Sequence, residues 1–203
     1  VCALLSLGSG IPLVILGTRN LDWFTGLFFL LLGLLSIAAA IFYTVGKNAY
    51  GYRGLGDVFV FLFFGIIAVT GSFYLQYKTL EWPVFLPAVA IGLFSTGVLN
   101  MNNIRDVEND RASGKITLAV RLGKTGSIVY HTVLMLGGAA SAVAFQFMEL
   151  TSEKWMFLLP LLLIIPHLLV VVSHKNPAVL DKQLKVVVLI TLLYTAGLTI
   201  ILL

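Results

Sequence analysis

Seven long apolar segments constrain this chain more than any other feature. A helix needs about 20 apolar residues to cross the hydrocarbon core of a bilayer, and lipid offers no hydrogen-bond partner to an open sheet edge. Hydrophobic residues make up 59% of the sequence and charged residues 11%, which excludes an ordinary soluble domain. The sequence therefore predicts an all-α membrane protein, a single-domain multi-helix transmembrane bundle over residues 1–203. The segments are 1–17, 21–44, 57–75, 83–101, 126–148, 155–173 and 184–203.

The charged residues between the segments predict the orientation of the chain. Cytoplasmic loops of membrane proteins carry an excess of Lys and Arg. The loops after the first, third and fifth segments hold three such cations, whereas those after the second, fourth and sixth hold ten. Trp23, Trp82 and Trp155 lie beside the cation-poor loops, as an external aromatic belt would. The cation-rich loops are therefore predicted to be cytoplasmic, and the net charge of +4 does not indicate a nucleic-acid partner.

The loop at residues 102–125 combines acids with cations. Asn102, Asp106 and Asp110 are spaced four residues apart, so a continuing helix would present them on one face. Mg²⁺ suits such a set, because it takes one or two carboxylates and fills its octahedron with water and phosphate oxygens. The pattern predicts a diphosphate site, although a solvated cytoplasmic loop would have a similar composition. The accompanying cations are Arg105, Arg111, Lys115, Arg121 and Lys124.

A second loop on the same predicted membrane face is rich in glycine and tyrosine. Its cations are Lys47 and Arg53, and an arginine suits bidentate phosphate contacts. Its glycines would let backbone amides approach an anion closely. A glycine-rich hinge with interfacial tyrosines is the alternative for this loop alone. Because both loops lie on one membrane face, they are candidates for one site. The tyrosines are Tyr43, Tyr50 and Tyr52.

Both loops resemble the markers of a known family. The segment from Asn102 to Gly123 is similar to the second aspartate-rich motif of the UbiA-type intramembrane aromatic prenyltransferases. The segment from Tyr43 to Gly65 is similar to a marker of the branch that acts on 1,4-dihydroxy-2-naphthoate in menaquinone biosynthesis. The resemblance implies a nine-helix bundle with two aspartate-rich motifs on its cytoplasmic side.

The chain departs from that pattern in one respect. No N-x-x-x-D-x-x-x-D stretch precedes the second motif, and the first acid of the chain, Asp22, lies on the predicted external side. The first motif of the family stands between helices two and three. We therefore expect the seven segments to correspond to helices three to nine, so that the chain is a piece of a longer protein lacking the first two helices and the first motif.

The resemblance implies a reaction and a set of roles. A polyprenyl group would pass from a polyprenyl diphosphate to an aromatic acid, with 1,4-dihydroxy-2-naphthoate losing its carboxylate to give demethylmenaquinol. Asp106 and Asp110 would bind Mg²⁺ and act in catalysis with Arg105 and Lys115. The enzyme would lie in the lipid bilayer of a bacterial inner membrane, with its active site facing the cytoplasm. The diphosphate would contact Lys47, Arg53, Arg111, Lys115 and Arg121. The aromatic acid would contact Asn102, Asn103, Tyr43, Tyr50 and Tyr52.

Two alternatives remain open at this point. A related transferase acting on 4-hydroxybenzoate or another acceptor would share the aspartate-rich motif. A transporter subunit would instead need ionisable residues at mid-membrane depth. His131 and His167 are the candidates for such residues, but hydrogen bonding in the bundle interior explains both equally well.

Overall fold

The computed structural model describes residues 2–46, 49–149, 154–173 and 176–202, and its regular structure there is entirely helical. Six of the helices in this part of the chain are long and apolar enough to cross a bilayer, and the first is shorter, at 17 residues. The predicted all-α membrane fold is confirmed. The helices are α1 (Cys2–Thr18), α2 (Trp23–Thr44), α3 (Gly56–Tyr77), α4 (Trp82–Arg105), α5 (Val107–Ala112), α6 (Leu118–Glu149), α7 (Met156–Ser173) and α8 (Pro177–Leu202).

Helical structure extends past the predicted segments at the cation-rich end. The apolar run predicts that α4 ends near residue 101, but it continues to Arg105. Asp106 then breaks the helix, with φ −97° and ψ 7°. Backbone hydrogen bonds still cross the break, from the Asp106 N–H to the Asn102 carbonyl at 3.1 Å and from the Asp110 N–H to the Asp106 carbonyl at 2.8 Å. The expected four-residue spacing is therefore preserved although the helix is not continuous.

Helix α4 is the centre of the bundle and packs against α3, α6 and α8. In its most apolar stretch 61% of the residues are buried, against 6% in α2 and α3. Phe94 of α4 meets Tyr194 of α8 edge to face, with ring centroids 5.4 Å apart. Helices α3 and α4 approach closely, because a Cβ on Gly65 would lie 2.5 Å from the Gly92 Cα. Small residues allow this packing inside a membrane.

A buried hydrogen-bonded chain links α6, α7 and α8. The Nε2 atoms of His131 and His167 lie 2.8 Å apart, and His167 Nδ1 lies 2.7 Å from Gln183 Oε1. If the Gln183 oxygen accepts, His167 carries its proton on Nδ1 and accepts at Nε2 from His131. Both imidazoles are at most 2% exposed. The arrangement favours the interpretation of the two histidines as contacts within the bundle.

Candidate active site

The two polar loops meet at one end of the bundle. The Ile116 N–H donates to the Tyr52 carbonyl at 2.9 Å, and Arg121 Nη2 donates to the Arg53 carbonyl at 2.7 Å. Gly54 has a φ of 76° and ends the short 3-10 turn that carries Tyr52 and Arg53. A Cβ on Gly54 would lie 3.2 Å from the Ile116 carbonyl oxygen. A left-handed glycine therefore shapes the junction, and the structure brings the two predicted loops together.

Arg105 organises the first half of the aspartate motif. Its guanidinium makes two hydrogen bonds to the Asp106 carboxylate, each 2.8 Å long. It also donates to Asn102 Oδ1 at 2.7 Å and, across the bundle, to Asp181 Oδ1 of α8 at 2.9 Å. The hydrogen bonds from Arg105 hold the pKa of Asp106 below its ordinary value. Arg105, predicted to be catalytic, is thus placed to position Asp106 and Asn102.

Asp110 has a different environment in the second half of the motif. Its residue is 8% exposed, and its Oδ1 lies 3.2 Å from Lys115 Nζ. The loop closes on it, because the Lys115 N–H donates to the Asp110 carbonyl at 2.8 Å. Asp110 Oδ2 is buried and meets no hydrogen-bond partner among the described residues. A buried carboxylate oxygen without a partner is costly, so this atom is suited to a cation that arrives with a substrate.

The carboxylate oxygens of Asp106 and Asp110 can be compared with what the predicted Mg²⁺ site requires. Within the described ranges, no group of three or more His, Cys, Asp and Glu residues could hold a metal ion. Mg²⁺ needs only one or two carboxylates when water and substrate supply its other ligands. The Oδ2 of Asp110 fits that need directly. Each oxygen of Asp106 accepts one hydrogen bond from Arg105, so an ion bound there would share those oxygens with the guanidinium.

The other cations that were predicted to contact the diphosphate differ in where they lie relative to the aspartate motif. Arg121 stands at the loop junction described above, and Lys115 contacts Asp110. Arg111 lies 3.7 Å from Glu108, and the two side chains are 57% and 80% exposed. Arg111 is therefore on the solvated side of α5, away from the oxygens of the motif. Lys47 lies outside the described residues.

The predicted aromatic contacts also separate into two groups. The Tyr50 hydroxyl donates to the Ala39 carbonyl at 2.7 Å, and its ring stacks on Phe59 with centroids 4.1 Å apart. Burial raises the pKa of Tyr50, so it is a neutral side chain that fastens its loop to α2. Tyr43 lies against Gly56, and Tyr52 is 46% exposed. These two tyrosines are the better placed to face a ligand.

Two buried polar groups enlarge the site. Asn103, a predicted contact of the aromatic acid, is 3% exposed and its Oδ1 has no partner among the described residues. Asp57, absent from the predicted site, is 5% exposed at the beginning of α3, with Oδ1 likewise unpartnered in the described chain. The Tyr130 hydroxyl of α6 donates to the Asp57 carboxylate. In the sequence, Asp57 is marked only as an acid at the edge of an apolar segment.

Asp181 and Tyr130 are likewise residues that sequence reasoning misses. Asp181 lies 76 positions after its partner Arg105, and Tyr130 belongs to an apolar helix without a motif. Both contacts are tertiary, so no local pattern indicates them. The position of Asp181 in the first turns of α8 is its only visible signal.

Comparison with known proteins identifies the family. The family model described as the UbiA prenyltransferase family matches residues 1–196. The 1,4-dihydroxy-2-naphthoate octaprenyltransferase of Escherichia coli (strain K12) is 43% identical over 194 residues, which are 93% of this chain and 62% of that protein. Its counterpart in Haemophilus influenzae is 41% identical over 174 residues, or 83% of this chain and 56% of that protein.

A more distant relative extends the comparison beyond bacteria. The human UbiA prenyltransferase domain-containing protein 1 is 35% identical over 101 residues, 49% of this chain and 30% of that protein. No solved structure matches the chain. The chain spans 62% and 56% of the lengths of the two bacterial relatives. These matches favour a transferase over a transporter, and the chain belongs to the UbiA prenyltransferase family.

Proposed function

We propose that the protein transfers a polyprenyl group from a polyprenyl diphosphate to 1,4-dihydroxy-2-naphthoate, which loses its carboxylate to give demethylmenaquinol. One observation carries the proposal. The segment holding Asp106 and Asp110 lies within 194 residues that are 43% identical to a relative named for this acceptor. An acceptor such as 4-hydroxybenzoate is the second candidate within the family.

Mg²⁺ is the proposed cofactor at the aspartate motif. Asp110 would hold it through Oδ2, which has no partner among the described residues, and Asp106 would join through oxygens that also accept from Arg105. Bound there, Mg²⁺ would neutralise the diphosphate and make it a better leaving group. Asp106 is ionised at neutral pH, and the hydrogen bonds from Arg105 lower its pKa further.

Lys115 and Arg121 are the proposed contacts of the leaving diphosphate. Lys115 Nζ already lies 3.2 Å from the Asp110 carboxylate, so its charge stays beside the acids. Arg121 is anchored through the Arg53 carbonyl at the junction of the loops. Fixed cations stabilise charge that develops on a leaving group, because they need no reorganisation when the bond breaks.

Apolar surface below the loops is the proposed place of the polyprenyl chain. A largely apolar cavity of about 480 Å³ lies between α3, α4 and α8, is lined by Phe64, Ile91 and Leu198 among others, and extends to Glu81 at the end of the bundle opposite the loops. The far end of the polyprenyl chain, rather than its reacting carbon, would lie in this cavity. The cation-rich loops support a cytoplasmic active site in a bacterial inner membrane.

A direct assay tests the proposal. Membranes carrying the full-length protein would receive a polyprenyl diphosphate, Mg²⁺, and either 1,4-dihydroxy-2-naphthoate or 4-hydroxybenzoate. We expect transfer to the naphthoate and little to the benzoate, with loss of transfer on chelation of divalent cations. Preference for the benzoate would reassign the acceptor, and the absence of transfer to any aromatic acid would refute the proposed function.

A further inference from the structure

We propose that Asp57 is a catalytic residue for the acceptor: its carboxylate binds the ring hydroxyl beside the reacting carbon and takes that proton during prenyl transfer. The inference rests on the proposed function and deepens it. It adds a third acid, on a different helix, to the two acids of the aspartate motif.

The Asp57 carboxylate is buried and has only part of its hydrogen-bonding capacity filled. The residue is 5% exposed, and its Oδ1 has no partner among the described residues. The groups that donate to this carboxylate are the Tyr130 hydroxyl and the Asp57 backbone N–H. Buried carboxylate oxygens normally have hydrogen-bond partners. An unpartnered oxygen held in place by a neutral phenol is therefore ready to accept from a ligand.

Asp57 lies close to Tyr43, at the end of the bundle that carries the aspartate motif. Tyr43 packs over the start of α3, since a Cβ on Gly56 would lie 3.2 Å from its ring and 3.4 Å from its hydroxyl. Tyr43 also interacts electrostatically with both Asp57 and Asp110. Asp57 therefore lies on the same side of the bundle as the aspartate motif. Tyr43 is thus close enough to both acids to feel the charge of each.

The surroundings of the Asp57 carboxylate favour a neutral hydrogen-bond donor as its ligand. The carboxylate would repel a diphosphate, and its neutral donors supply no compensating charge. A hydroxyl group that can donate a hydrogen bond is the complementary ligand. The proposed aromatic acceptor carries such a hydroxyl on the carbon next to its carboxylate. The geometry thus separates an acceptor end at Asp57 from a donor end at Asp110.

The chemistry balances with Asp57 as a temporary proton holder. The bond between the prenyl carbon and the diphosphate oxygen breaks, and its electron pair leaves with the diphosphate. The ring carbon that bears the carboxylate forms the new C–C bond, while the neighbouring hydroxyl becomes a ketone and gives its proton to Asp57. Loss of CO₂ then returns an electron pair to the ring, and Asp57 returns the proton to the oxygen.

Tyr130 is a positioning residue in this scheme. Its hydroxyl occupies one side of the carboxylate and leaves Oδ1 for the substrate. The Thr96 hydroxyl of α4 donates to the Gly92 carbonyl at 2.8 Å, and its oxygen lies 3.5 Å from the Asp57 carbonyl oxygen. Contacts from α4 and α6 therefore orient Asp57 before a substrate binds.

The test compares Asp57→Asn, Tyr130→Phe and Asp22→Asn in the full-length protein. Asp22 is a matched control, because it caps the opposite end of α2 through the Thr25 N–H, a contact that asparagine also makes. Each variant is assayed with the naphthoate acceptor and with its methyl ether at the hydroxyl beside the carboxylate. Donor KM and the elution of the solubilised protein report whether the fold is intact.

We expect Asp57→Asn to lower kcat about 100-fold on the natural acceptor, as loss of a general base does, with donor KM unchanged. Tyr130→Phe should lower kcat roughly threefold to tenfold, and Asp22→Asn should have no effect. On the methyl ether, which has no proton to give, Asp57→Asn and the wild type should be equally slow. A difference between Asp57→Asn and the wild type on the natural acceptor, but not on the methyl ether, indicates a catalytic rather than a structural role.

Two results would overturn the inference alone: near wild-type kcat in Asp57→Asn, or the same fold loss on both acceptors. A large increase in donor KM or altered elution accompanying the loss would likewise assign Asp57 to the fold. Absence of prenyl transfer by the wild type would overturn the proposed function together with this inference.

Discussion

The two halves of the aspartate motif use the same residue type in opposite ways. Asp106 has a side chain that is 30% exposed, and Arg105 donates to both of its oxygens. Asp110 is nearly buried, shares one oxygen with Lys115 and keeps the other without a described partner. Four residues along the chain thus separate an acid that is paired through both oxygens from an acid that is paired through one.

The difference arises from the end of a helix. Because α4 ends at Arg105, that side chain reaches back to Asn102 and across to Asp181 in α8. The lowered pKa of Asp106 means that its pairing with Arg105 stabilises the fold above the ordinary pKa of aspartate. This contribution is lost only as the pH falls through the lowered value. Changes of activity between pH 6 and 8 should therefore have another source.

The largest expected effect is that of Asp110→Asn. Asparagine keeps the shape but removes the charge from the unpartnered oxygen, so kcat should fall about 100-fold or more. The Mg²⁺ concentration needed for half-maximal rate should increase in parallel. Glu108→Gln, on the exposed face of the same short helix, is the control and should retain activity. Near-normal turnover of Asp110→Asn at saturating Mg²⁺ would refute the metal assignment.

Removal of the organising cation should have the second largest effect. Arg105→Ala leaves Asp106, Asn102 and Asp181 without their shared donor. Charge-assisted contacts contribute about 1.5–3 kcal/mol each, so we expect a roughly tenfold to 100-fold loss of kcat. Arg105→Lys should recover part of it, because lysine keeps the charge without the planar fork. Equal activity of Arg105→Ala and the wild type would show that the network does not position Asp106.

Asp181→Asn should have a smaller effect. This substitution weakens the contact with Arg105 and the ion pair with Lys185, and the Asp181 side chain is 42% exposed. Exposed ion pairs contribute about 0–1 kcal/mol, which predicts at most about a fivefold loss of kcat. Lys185→Ala, which removes the other ion-pair partner of Asp181, should be close to neutral. A loss for Asp181→Asn as large as that for Arg105→Ala would place Asp181 in the reaction itself.

The smallest expected effect is that of Arg111→Ala. The sequence predicts that Arg111 contacts the diphosphate, but its side chain is 57% exposed beside Glu108. Donor KM should therefore change by about twofold or less. The comparison variant is Arg121→Ala, which breaks the contact with the Arg53 carbonyl and should raise donor KM roughly tenfold. Equal increases for both variants would restore the prediction made from the sequence.

The fold could be predicted from the sequence because few backbone structures can span a bilayer. The seven apolar segments overlap with α1 to α4 and α6 to α8, although Gly123, with φ 68° and ψ 174°, kinks α6 before its apolar part begins. The break at Asp106 was not readable, since an uninterrupted four-residue spacing gives no sign of it. The early start of α8 at Pro177 was likewise hidden, because Asp181, Lys182 and Gln183 interrupt its apolar sequence.

The site was readable only where its residues share a motif. The spacing of Asp106 and Asp110 and the meeting of the two loops follow from local pattern and membrane side. The pairing of Arg105 with Asp181 depends on how α8 packs, and the Tyr50 hydroxyl turns to Ala39 rather than to the site. Tertiary packing decides both contacts, so neither follows from the sequence alone.

The central claim is that prenyl transfer replaces the acceptor carboxylate at this site. The most direct measurement uses 1,4-dihydroxy-2-naphthoate labelled in its carboxyl carbon, with membranes carrying the full-length protein or its Asp110→Asn variant. We expect one labelled CO₂ to be released for each prenyl group transferred, and neither product from the variant. A prenylated product that keeps the label, or equal transfer by the variant, would contradict it.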